Sequence, residues 1–159
     1  LVQAINGIVQ FTVGMTIAKS WNPHKSIRIG YWVSVFTFLG FLSTRPIGEM
    51  FDIAPLYVML VWQVPLGLGF GLLYIGTLRA VSESCDEPGT ATGLIGVTLS
   101  SSAIFGPAIG LAFYSLSMAY GWGWLLVDHR TSMLLAVFGS LVGALLFAKH
   151  WTGIVDEAE

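Results

Sequence analysis

Charged residues punctuate this chain at wide intervals, and the stretches between them are almost wholly apolar. Five stretches carry no Asp, Glu, Lys or Arg: 1–18, 29–44, 53–78, 88–127 and 131–148. A helix that crosses a bilayer needs roughly 17–25 mostly apolar residues, so four of the five suit one helix each once flanking interfacial residues are added. The stretch 88–127 is too long for one helix and barely long enough for two. Its end, Tyr120-Gly-Trp-Gly-Trp124, has the aromatic, glycine-rich make-up of a loop at headgroup level. The pattern predicts an all-α polytopic membrane protein, a bundle of about five transmembrane helices in a single domain over 1–159. The predicted spans are about 1–19, 26–43, 55–80, 90–118 and 131–149, with a polar C-terminal tail over 150–159.

The breaks between these spans have local causes. Asn22-Pro23 ends the first, because proline cannot continue a helix and asparagine favours a turn. The second ends at Thr44-Arg-Pro46, leaving an outer loop, Ile47 to Ala54, with Glu49 and Asp52; Pro55 then suits the first turn of the third. Pro65 should kink that third helix. The acidic loop Glu83-Ser-Cys-Asp-Glu-Pro-Gly89 leads into the fourth. The first span lacks an initiator Met and a basic n-region, which fits a helix entered partway along better than a signal peptide.

Composition agrees with this pattern. Of 159 residues, 55% are hydrophobic and 10% charged, and the mean hydropathy is +0.76. A soluble domain carries about 25% charge, so an ordinary soluble protein, a disordered chain and a nucleic-acid binder are all excluded. The net charge of −2 provides no single-sign field. Alternating the loops puts Lys19, Lys25, Arg28, Arg79 and Lys149 on one side and Arg45 and Arg130 on the other. The positive-inside rule makes the first group cytoplasmic, or matrix or stromal in an organelle, with the N-terminus outside and the C-terminus inside. The lone Cys85 excludes an internal disulfide.

Candidate chemistry is sparse. Gly67 and Gly71 share one helix face and Gly69 lies opposite, while Gly93, Gly96, Ser100, Ala103, Gly106 and Gly110 form a small-residue stripe. Small residues at such spacings let helix backbones approach closely in lipid, so Gly67, Gly71, Gly93, Gly96, Gly106, Pro107 and Gly110 are helix-packing candidates. Gln3, Asn6 and Gln10 recur on one face of the first helix, and Gln63 lies about two turns into the third. Amides in lipid either bond across helices or face a wet cavity, which makes these four cavity candidates along with Ser100. Serine has a plainer role as well, bonding to its own preceding turn. No charged residue or histidine falls mid-span, and His24, His129 and His150 are far apart at the interfaces. No catalytic dyad, metal site or cofactor site is therefore expected, and the chain is not read as an enzyme.

Several segments taken together resemble half of a major facilitator superfamily transporter. Gly14-Met-Thr-Ile-Ala-Lys19, with Lys25, Arg28 and Gly30 beyond, resembles that family's basic loop between the second and third helices of each half, without the family's Asp. Trp62-Gln-Val-Pro-Leu-Gly-Leu-Gly-Phe-Gly71 followed by Asp86-Glu-Pro-Gly-Thr-Ala-Thr-Gly93 is similar to the passage from fourth to fifth helix. Ser102-Ala-Ile-Phe-Gly-Pro-Ala-Ile-Gly110 resembles the Gly-Pro signature of the family's drug and proton antiporters, with Leu111 where that signature ends in glycine. The resemblance implies helices two to six of one half, most like the C-terminal half. It also implies transport of a small organic solute by alternating access, with the cavity near the midplane against a partner helical half. The residues also admit a different reading, a complete small structural subunit of a larger membrane complex, such as a respiratory or photosynthetic one, with no transport activity of its own. Either way the expected partners are the lipid bilayer and other membrane helices, and not nucleic acid.

Overall fold

A computed structural model describes residues 2–84, 87–120 and 130–155. Cys85, the segment 121–129 with its two tryptophans and His129, and the last residues, 156–159, lie outside the described residues. Every element among those described is a helix, so the all-α class stands.

The first helical stretch is interrupted: α1 (Val2–Met15) and α2 (Ile17–Ser20) meet at Thr16. Here Thr12 donates to the Ile8 carbonyl at 2.8 Å and Thr16 to that of Thr12 at 2.7 Å. Hydroxyls bonded back to the preceding turn bend helices, and two in succession precede the break. Asn22 caps α3 (Pro23–Leu42), its side-chain oxygen accepting from the His24 N–H at 2.9 Å, with Pro23 in the first turn.

Beyond Leu42 the chain departs from the expected outer loop. Residues Thr44–Phe51 form α4, bent 52° from α3. Pro46 falls in the first turn of α4, where the N–H that proline lacks has no partner to lose. Asp52 closes α4 in the left-handed region, at φ 52°, and the Ile53 N–H donates to the Gly48 carbonyl at 2.9 Å. There follow α5 (Pro55–Ser84), which runs through Pro65 as one helix, α6 (Pro88–Ala119) and α7 (Arg130–Val155).

The centre of the bundle is α5. Along it Gly67 lies beside Asn6, Gly71 beside Gln10 and Val13, and Ile75 beside Gly14, so α1 runs parallel to α5. Trp62 meets Gly40, Gly69 meets Ser34, and Gly76 meets Pro23 and Ile27, so α3 runs antiparallel to α5. In turn α7 is antiparallel to α3, with Gly143 against Tyr31 and Phe147 stacked on His24. The apolar core gathers Val9, Val13, Ile17, Trp21, Ile29, Leu68 and Ile75 about Leu72.

Among the described residues α5 is the one helix long and apolar enough by itself to cross a membrane, and α3 with α4 makes a second if the bent pair is one span. This is fewer than the five spans that charge spacing predicts. The helix α1 ends after 14 residues at Thr16, and within α6 and α7 the apolar stretches found among the described residues are Ile104–Leu116 and Met133–Phe147.

Candidate functional site

Glycines make α5 thin on two faces. A Cβ at Gly67 would lie 2.7 Å from the Asn6 carbonyl oxygen, and one at Gly71 would lie 3.0 Å from that of Gln10. On the other face a Cβ at Gly69 would lie 2.9 Å from the Ser34 hydroxyl, and one at Gly76 would lie 3.0 Å from the Pro23 carbonyl. At each position the neighbour occupies the volume a side chain would need, and the dispersion contact between backbones replaces it.

The amides lie along the first of these faces. Gln63, one turn before Gly67, is only 5% exposed. Asn6 and Gln10 are half-buried on α1 at the levels of Gly67 and Gly71, while Gln3 is exposed. The backbone carbonyls of Asn6 and Gln10 thus meet α5 on the glycine face that Gln63 shares by helical period. A buried primary amide has two donors and an acceptor, and can hold a polar solute or bond across the seam.

The second face is lined by hydroxyls. Ser26, Ser34 and Thr37 on α3 are fully buried. Ser34 donates to the Gly30 carbonyl at 2.9 Å and Thr37 to that of Val33 at 2.7 Å, so both are satisfied within their own helix. The Ser26 hydroxyl has no hydrogen-bond partner among the described residues.

The small-residue stripe of α6 is open among the described residues. Among the described residues nothing lies within 4 Å of a Cβ placed at Gly93, Gly96, Gly106 or Gly110, and Ser100 is exposed. No described residue of α6 is buried, and its contacts are mainly with α5 and α7. Among the described residues these positions form no seam and do not join Gln63. Small residues permit close approach without specifying what approaches. The surroundings of Pro107 lie outside the described residues.

Charges gather at the ends of the bundle. Where α3 begins and α5 ends, the Arg79 guanidinium donates to the Trp21 carbonyl at 2.6 Å and to Glu83 at 3.2 Å. The Lys25 ammonium sits 4.8 Å from the centre of the Trp21 ring. His24 stacks on Phe147 at 6.3 Å, and burial lowers its pKa against the opposing pull of Glu83. At the other end Arg45 pairs with Glu49 at 2.8 Å. Among the described residues no three His, Cys, Asp or Glu side chains gather as metal ligands.

Sequence reasoning did not single out Gly30, Gly40 or Gly143 as packing positions, although they meet Leu73, Trp62 and Tyr31. Gly30 and Gly40 lie ten residues apart, outside the three- and four-residue spacings that single out the other glycines. No protein-family model, no curated protein and no solved structure matches the chain.

Proposed function

We propose that this chain is a multi-pass membrane bundle and forms part of a facilitator-type transporter that moves a small organic solute by alternating access. The single observation that carries the reading is Gln63, an amide 5% exposed on the glycine face of α5. Beside it α1 brings Asn6 and Gln10 to the same seam. Amide side chains held between thin, closely packed helices are suited to grip a polar solute group and release it when the helices shift. The resemblance of Trp62 to Gly71 and of Ser102 to Gly110 to transporter segments adds to it. In this reading the substrate cavity closes against a partner helical half, and the end carrying Lys25, Arg28 and Arg79 faces the cytoplasm, matrix or stroma.

A second reading, a structural subunit of a larger membrane complex, draws on α6. The absence of any buried residue among those described, with four glycines open, suits a helix covered by other subunits.

Solute uptake by the intact protein in proteoliposomes separates the two. Gln63→Leu and Asn6→Ala should each raise the KM for the transported solute about five-fold, the worth of one hydrogen bond of about 1 kcal/mol. Uptake and affinity unchanged in both variants would reject the cavity, and no uptake of any solute would favour the structural subunit.

A further inference from the structure

We propose that the end of the bundle where α3 begins and α5 ends binds the phosphate of an anionic lipid headgroup through Lys25 and Arg28. The inference rests on the membrane reading above and adds a ligand to it. Lys25 and Arg28 are exposed and lie three residues apart on α3, hence on neighbouring positions of one side. Neither has an acidic partner among the described residues. Among the described residues the carboxylates at this end are engaged elsewhere: Glu83 accepts from Arg79, and Glu87 accepts from the Thr90 hydroxyl at 3.2 Å.

Trp21 sets the depth of this site. It packs against the core residues Val13 and Leu72, receives the Arg79 guanidinium on its carbonyl, and carries the Lys25 ammonium over its ring. The apolar core therefore ends directly beneath a fixed cation, at the boundary where hydrocarbon gives way to phosphate. An ammonium over an aromatic face still directs N–H groups outward, and the Arg28 fork matches two phosphate oxygens. At the opposite end of the same helices Arg45 is spent on Glu49, and Asp52 has no ion-pair partner among the described residues. The exposed Lys25 and Arg28 thus complement an anionic ligand at the first end.

The test uses the full chain in bilayers of phosphatidylcholine, with and without phosphatidylglycerol, and measures retained lipid by native mass spectrometry. Phosphatidylglycerol should be retained over phosphatidylcholine by at least about five-fold, and the Lys25→Gln/Arg28→Gln double variant should lose most of that preference, at about five-fold per charge. Arg28→Gln alone should lose part of it, which keeps the test sound if the double variant folds poorly. Arg45→Gln should lose none. Equal retention of the two lipids, or equal losses in the Arg45 and double variants, would overturn the site. Displacement of the lipid by millimolar inorganic phosphate would overturn the lipid as its ligand. Failure of the chain to float with vesicles of either composition would instead overturn the membrane reading on which the site rests.

Discussion

Replacing one hydrogen of Gly67 with a methyl group would drive a carbon to 2.7 Å from the Asn6 carbonyl oxygen, a backbone atom that moves only if α1 moves. Gly67→Ala should therefore lower stability in detergent by about 1–3 kcal/mol, the usual cost of overpacking. Gly96→Ala meets open space, so the isolated chain should gain about 0.4–1 kcal/mol from reduced freedom of the unfolded state. Chemical unfolding followed by circular dichroism checks both, and equal effects would contradict the asymmetry between α5 and α6. The helical period is enough to put Gly67 and Gly71 on one face and Gly69 on the other; it is silent about which helix lies against each. That depends on contacts far apart in the chain, and for Gly96 the same pattern meets no neighbour. His24 carries a different prediction. Burial lowers its pKa in the folded state, so the unfolded chain binds the proton more readily. Its contribution to stability is present above the ordinary imidazole range and is lost as pH falls through the folded value. The unfolding midpoint should thus fall between about pH 8 and pH 5, and His24→Gln should flatten the decline. A midpoint that rises on acidification by way of His24 would reverse the assigned cause.

Among the elements, α4 shows how a short segment sets the course of a long one. The chain reverses between α3 and α5 through a 52° bend, an eight-residue helix and one left-handed residue, Asp52. The side chain at that position is strained in a way glycine is not. Asp52→Gly should raise stability by about 0.5–1 kcal/mol, and Asp52→Val should lower it by more than about 1 kcal/mol. Thermal unfolding of the two variants decides it; a loss in the glycine variant would mean that the Asp52 side chain holds the turn. The helix itself is illegible in sequence because Pro46 reads as a breaker and the polar Glu49 and Asp52 beyond it read as a loop. Pro46 is harmless in a first turn, and Gly48 is required where a Cβ would lie 2.8 Å from the Ile53 carbonyl. The alternation of apolar stretches with charged breaks made the long helices legible, since the first three breaks carry a proline, an asparagine or an acidic cluster and the last a glycine-rich aromatic segment. Where Thr16 would divide the first of them was not legible, because threonine is common inside helices and only its bond to the preceding turn marks the bend.

For the molecule as a whole, packing is uneven. The helix α5 is gripped from two sides, with Leu72 1% exposed at its centre, while α6 has no described residue buried. In detergent, backbone amides over 63–76 should exchange at least ~10-fold more slowly than those over 93–110, a difference of about 1.4 kcal/mol in opening free energy. Uniform exchange along both helices would mean that α6 is held as firmly as α5. Any shift of α3 against α5 would have to pass Trp62, whose ring fills the space over Gly40, a Cβ there lying 2.5 Å from three ring atoms, while Phe36 meets the indole edge-on at 5.4 Å. Because indole emission responds to the polarity around it, Trp62 is a built-in optical gauge of the gap between these two helices. With the other tryptophans replaced by phenylalanine, its colour would report in real time whether the bundle breathes.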